Sequence, residues 1–177
     1  MKIIAVILTI SDRRFQGKEL DIGGDLLQKL LEDSGIAIKQ RRVVPDEFEL
    51  IADELRWFSD NAQADLVITT GGTGFTQRDI TPEATLSVIE RLTPGIDEAL
   101  RAKSIEITPY AMLSRSVSGI RKETLIINLP GNPKAVREHM EVLIPVLPHA
   151  IQMLKGINTD HHEMPKKNNF KKDKRNP

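Results

Sequence analysis

Asp65-Leu66-Val67-Ile68-Thr69-Thr70-Gly71-Gly72-Thr73-Gly74-Phe75-Thr76-Gln77-Arg78-Asp79-Ile80-Thr81-Pro82-Glu83 is the stretch on which the fold turns. It starts as an apolar, β-branched run and breaks into three glycines within four residues. It then reaches Thr81-Pro82, which reads as a helix N-cap followed by proline at the first helical position. A strand feeding a glycine loop and then a helix is a building unit of parallel α/β sheets.

The same apolar signal recurs on both sides, at Ile3–Ile10, Ile36–Val44 and Thr124–Leu129. The first and last of these are almost continuously apolar, as expected of strands covered on both faces. Helical spacing lies between the runs. Leu26, Leu27, Leu30 and Leu31 form one apolar face that Gly35 ends; Phe48, Ile51, Leu55 and Phe58 form a second; Leu86, Ile89 and Leu92 follow Pro82. Thr93-Pro94 starts a further helix towards Ser104, and Arg115–Ile120 pairs with Thr124–Leu129 as a hairpin. Pro145 and Pro148 divide or kink the last helical stretch, Pro133–Leu154. The alternation predicts an α/β fold, a single doubly wound three-layer domain over residues 1–156, with a mostly parallel central sheet, a small hairpin and right-handed crossovers. In such a fold ligands bind outside the carboxyl ends of the strands.

Composition narrows the chemistry. The chain has 177 residues, 40% of them apolar, with a net charge of zero and no cysteine. Disulfides, thiolate metal sites and cysteine nucleophiles are therefore excluded, and a reducing, cytoplasmic setting is expected. Ile3–Leu8 is followed by polar residues without a small-residue cleavage pattern, so it reads as a strand, and no stretch is long enough for a membrane span. Residues 157–177 read as a basic, disordered tail, with six Lys/Arg against one Asp from Lys166 onward. No nucleic-acid motif or aromatic interleaving accompanies it, so neither nucleic acid nor membrane is an expected partner. His139, His149, His161 and His162 lack paired ligand spacing and read as packing or surface residues.

Four loops fall at strand ends. Gly71, Gly72, Thr73 and Gly74 offer backbone N–H groups to an anion, with a helix start beyond them. Arg78 supplies a cation for phosphate oxygens and Asp79 a hard carboxylate for magnesium. Neither a Walker A Gly-Lys-Ser/Thr nor the third glycine of a dinucleotide fingerprint follows. Asp46, after the second strand, either caps the next helix with Glu49 or joins Asp79 as a second magnesium ligand. Asp12 lies in the long first loop, where capping a turn is its simplest role. Asn128, at the end of the last run, precedes the turn Pro130-Gly131 and meets either a heterocycle or local backbone. Ser104 and Ser114 offer hydroxyls nearby.

Thr70–Ala84 then resembles the signature of the molybdopterin adenylyltransferases, the Mog/MoaB proteins and the matching G domains of gephyrin-like proteins. The likeness extends through Ile10-Ser11-Asp12-Arg13, Pro45-Asp46-Glu47, Ile107–Ser116 and Ile127–Pro133. It implies transfer of AMP from ATP to the terminal phosphate of molybdopterin, with release of pyrophosphate and with magnesium. By matching positions it implies Asp46 and Asp79 as the acidic pair at the metal, Arg78 beside them, and Gly71, Gly72, Thr73, Gly74 and Glu83 at the nucleotide. Asp12, Ser104, Ser114, Asn128, Pro130 and Gly131 fall on the molybdopterin side. Many relatives have Ser where this chain has Gly23, so no hydroxyl is available there. The resemblance also implies a homotrimer, with the molybdenum-insertion protein and molybdopterin synthase as partners. The phosphate of molybdopterin is already an anionic nucleophile, so a Ser–His or Cys–His dyad is not required. Two other readings are a non-catalytic molybdopterin-binding scaffold and a dinucleotide pyrophosphatase of similar fold.

Overall fold

The first apolar run forms β1 (Ile4–Ile10), whose side chains alternate between two cores: Ala5 and Ile7 face one, and Val6, Leu8 and Ile10 the other. That double burial explains the missing polar face. In this computed structural model, which describes residues 1–61 and 64–157, β1 lies parallel between β2 (Ala37–Val44) and β3 (Leu66–Thr70). An antiparallel pair, β4 (Arg91–Leu92) and β5 (Ser118–Arg121), leads into β6 (Thr124–Leu129), which runs parallel to β3 and antiparallel to β5. The sheet order is β2-β1-β3-β6-β5-β4. The mostly parallel sheet and the hairpin of the sequence reading are both present.

Short α1 (Asp12–Phe15) follows β1, and α2 (Ile22–Asp33) covers one face. The opposite face carries α3 (Phe48–Asp60) and α4 (Thr81–Leu86), through Ile51, Leu55, Phe58 and Ala84. With α2, the first face carries α5 (Pro94–Ile105), α6 (Pro133–Leu143) and α7 (Leu147–Leu154), whose Leu100, Val136, Met140 and Ile151 meet Leu27 and Leu31. A 3-10 turn, Pro109–Leu113, joins α5 to β5. Among the described residues no helix is long and apolar enough to cross a membrane. The basic tail from residue 158, including His161 and His162, lies outside the described residues.

Three local expectations change. The helix after Pro82 ends at Leu86, not near Leu92, because Glu90 and Thr93 donate to the carbonyls of Ile120 and Ser118 and draw residues 91–92 into the sheet edge. Pro94 also holds the residue before it out of helical geometry. Thr81 is the first residue of α4, not its cap; its hydroxyl donates to the Gly71 carbonyl at 3.0 Å. Asp46 does not cap α3: Glu47 occupies that position with no side-chain cap bond.

The carboxyl ends of β1, β2, β3 and β6 share one side of the sheet. The chain leaves β1 for β2 on one side and returns to β3 on the other. That reversal opens a crevice between the loops after β1 and β3.

Candidate active site

Gly71 and Gly72 have φ of +105° and +62°, conformations that β-branched or bulky residues resist. A Cβ on Gly71 would lie 2.2 Å from the Ile10 carbonyl oxygen, so the loop after β3 can pass the end of β1 only as glycine. Thr81 pins the loop from below, its hydroxyl donating to the Gly71 carbonyl and its N–H to that of Gly72. The Gly71 N–H donates to Leu129. The N–H groups of Gly72, Thr73 and Gly74 make no hydrogen bond with any described residue, the condition for an anion nest. With six residues, α4 adds little dipole.

Carboxylates flank this loop. Asp46 Oδ2 accepts from the Asp12 N–H at 2.8 Å, and Asp12 Oδ1 accepts from the Asp46 N–H at 3.1 Å, so the loops after β1 and β2 are clasped reciprocally. Asp46 Oδ1 would lie 3.1 Å from a Cβ on Gly72, which places it against the glycine loop. Asp79 folds back over Gly74 and accepts from the Thr76 N–H at 2.8 Å. Arg78 grips Asp12 with two bonds, at 2.8 and 3.0 Å. That grip lowers the Asp12 pKa, while burial, with the charges of Asp12 and Asp79, raises that of Asp46. Three carboxylates thus gather around the loop, and Arg78 ion-pairs with one of them, Asp12.

Beyond Thr73 and Gly74 lies a second space, a cavity of about 300 Å³ between α5, the 3-10 turn and the start of α6. Its lining sets the apolar surfaces of Tyr110, Ala111, Leu113 and Pro130 beside polar groups that include Ser104, Ser114 and His139 and the charged Arg101 and Glu138. The carboxylate-flanked loop and this cavity share Thr73 and Gly74 as a common wall.

Residues 6–149 match the family model described as "Probable molybdopterin binding domain". The chain belongs to this family. It is 41% identical to the molybdopterin adenylyltransferase of Helicobacter pylori (strain J99 / ATCC 700824), covering 85% of the chain and 86% of that protein. It is 44% identical to gephyrin of Dictyostelium discoideum over 85% of the chain, which is only 22% of the much longer gephyrin. The solved structure of the molybdopterin biosynthesis enzyme MoaB from Thermus thermophilus superposes with a TM-score of 0.82 at 42% identity, covering 87% of the chain and 97% of MoaB. The CinA protein of Thermoplasma acidophilum, 20% identical with a TM-score of 0.58, shares the fold alone.

In this molybdopterin-binding domain the sequence-predicted residues separate into two groups. Gly71, Gly72, Thr73, Gly74, Arg78, Asp79 and Asp46 surround the crevice. Asp12, expected on the molybdopterin side, links Asp46 to Arg78. Ser104, Ser114 and Pro130 line the cavity; Gly131 backs onto Gly71, where a Cβ would meet Gly71 Cα at 3.3 Å. Asn128 is fully buried and committed to the interior: its amide donates to Thr69 and Thr85, and its oxygen accepts from Val117. It locks β6 to β3 and α4, and is not among the residues lining the cavity. Glu83 forms an ion pair with Arg115.

Two residues have partners that the sequence does not disclose. Arg115 donates to the carbonyls of Gly74 and Asp79, and its N–H bonds Thr73, so it staples both limbs of the glycine loop. The stretch Ile107–Ser116, part of the family likeness, contains this arginine but does not tell which loop it holds. His139, read as a packing or surface residue, is buried, and its Nε2 lies 2.8 Å from Ser104 Oγ.

Proposed function

We propose that the crevice and the cavity together carry out adenylyl transfer, the chain being a molybdopterin adenylyltransferase of molybdenum cofactor biosynthesis. The observation that carries this reading is the glycine loop, where three unpartnered N–H groups stand beside carboxylates with too few cations. A nucleotide triphosphate satisfies the N–H groups, and a divalent cation satisfies the carboxylates.

In the reaction an oxygen of the terminal phosphate of molybdopterin attacks the α-phosphorus of ATP. The new P–O bond forms as the bond to pyrophosphate breaks, and no proton must be removed from the nucleophile. The protein's work is therefore alignment and charge compensation. The Gly72–Gly74 N–H groups hold the nucleotide phosphates. Asp12 fixes Arg78 through two N–H groups and leaves its others for a phosphate oxygen. The donor set suits magnesium: two hard carboxylates, Asp46 and Asp79, one of them with a raised pKa that a cation would relieve. When bound, magnesium neutralises charge on the phosphate oxygens. Glu83 acts through Arg115 on the shape of the loop, and Asn128 acts through the strands and helix that it ties together behind the site. Pro130, Gly131, Ser104 and Ser114 form the molybdopterin side, where the cavity accepts the pterin rings.

The homotrimer implied by the resemblance has support in exposed Ile107, Tyr110 and Met112, an apolar edge that a second copy would cover.

The test is magnesium-dependent release of pyrophosphate from ATP with molybdopterin. Asp46→Asn and Asp79→Asn should each lose on the order of a hundredfold, ~2.7 kcal/mol, as for removal of one preorganised charge-stabilising group. Two folded variants with wild-type turnover would end the metal assignment. Molybdopterin binding without pyrophosphate release in the wild type would instead indicate a scaffold, and hydrolysis of ADP-ribose a pyrophosphatase.

A further inference from the structure

His139 and Ser104 meet inside the cavity from different helices. In α6, Val136, His139, Met140 and Leu143 form the buried stripe, so the imidazole is carried into the interior by helical spacing. Ser104 sits in the last turn of α5, and its carbonyl accepts from the N–H groups of Ile107 and Thr108. It thus anchors the segment that leads into the cavity wall. His139 is 3% exposed and Ser104 8%. The hydroxyl makes no other hydrogen bond to a described residue, and neither does His139 Nδ1 make one.

A serine beside a histidine suggests a nucleophile and its base, but this pair lacks what that chemistry needs. The base of such a dyad is oriented by a third group on its other nitrogen, and here that nitrogen is unpartnered. Burial also holds the imidazole at a pKa of about 4, too low for an effective base at neutral pH. The ring is therefore neutral and carries one proton. If Nδ1 held that proton, a buried N–H would be orphaned, the rarer kind of unsatisfied group. With the proton on Nε2, the ring donates to Ser104 Oγ, and only a lone pair is left without a partner.

We propose that His139 is a positioning residue that makes Ser104 a hydrogen-bond donor inside the cavity, selecting a ligand edge with an acceptor, such as a pterin carbonyl oxygen or unprotonated ring nitrogen. With its oxygen occupied by His139, the Ser104 hydroxyl directs its proton to the bound molecule. This inference rests on the assignment of the cavity to molybdopterin, but its first measurement does not.

Long-range ¹H–¹⁵N correlation spectra of the full chain should show His139 protonated at Nε2 and bare at Nδ1. A proton on Nδ1 overturns the proposal, whether or not the chain turns over molybdopterin. In kinetics, His139→Leu should raise the KM for molybdopterin about tenfold, the worth of one hydrogen bond, with kcat nearly unchanged. His139→Gln, whose amide can donate from a similar place, should recover most of that loss. Ser104→Ala should raise KM to the same extent, and the double variant with His139→Leu should add nothing further. Additive effects, or a Gln variant no better than Leu, would assign His139 to packing alone. Absence of adenylylation by the wild type, with the expected tautomer present, would fault the substrate assignment and leave the donor assignment standing.

Discussion

Asp60 and Asp46 lie towards opposite ends of the same parallel strands, and their surroundings have opposite character. Asp60, before β3, receives Arg121 through two bonds and Lys122 at 2.8 Å; their hydrogen bonds hold its pKa down at about 2. Beside it Asp65 accepts from the Ile4 N–H and pairs with Lys155. At the carboxyl ends, Asp46 is half-buried with a backbone N–H as its donor and Asp12 and Asp79 as neighbours, and its pKa is raised. One end of the sheet neutralises its acids internally. The other concentrates them around a loop with unpartnered N–H groups, an arrangement that favours folding less and ligand binding more.

The largest expected effect tests whether the carboxyl end owes its shape to backbone geometry. Gly71→Ala combines a positive φ with a Cβ 2.2 Å from the Ile10 carbonyl oxygen. It should lower stability by ~3 kcal/mol or more in denaturant titration, since strain alone is of order 1–3 kcal/mol and β1 must also move. A variant as stable as the wild type would mean that the loop accepts another path, and the nest would lose its structural basis.

A smaller effect belongs to the amino end. Asp60→Asn should cost about 2 kcal/mol at neutral pH and leave adenylylation unchanged, the pKa depression being discounted for partial exposure. Because the folded pKa is lowered, this stability is present above pH ~4 and is lost as pH falls towards about 2. Unfolding curves of the two proteins should therefore converge across that window. Parallel curves would show that Asp60 is not the group responsible.

The two ends also differed in how far the sequence disclosed them. Strands, helices and the glycine loop were legible because each is written in consecutive residues: β-branched runs, helical spacing, and Gly71–Gly74 before Thr81-Pro82. Asp79 was legible from its place in the glycine loop and Asp46 as one of two open readings at a strand end; the family resemblance joined them as an acidic pair. What remained hidden depends on register between distant segments. The Asp12–Asp46 clasp spans 34 residues, Ser104–His139 spans 35, and Arg115 reaches 41 residues back to Gly74. The β4 strand was missed because two edge residues are too few to show alternation. Capping rules misread Asp46, whose side chain has a stronger claim on it from a neighbouring loop than from its own helix.

The smallest stability effect is the most discriminating. A raised pKa means that the folded chain holds the Asp46 proton more firmly than the unfolded chain does. The contribution of this group to stability is therefore greatest at low pH and declines as pH rises through the raised value, so ionised Asp46 is a net cost at neutral pH. Asp46→Asn removes that cost while its amide oxygen can still accept from the Asp12 N–H. Its stability should equal or exceed that of the wild type to within about 0.5 kcal/mol, although its turnover falls on the order of a hundredfold. The pair of substitutions then separates the two ends: Asp60→Asn loses stability and keeps activity, and Asp46→Asn does the reverse. A stability loss for Asp46→Asn as large as that for Asp60→Asn would remove the distinction, because both carboxylates would then serve the fold.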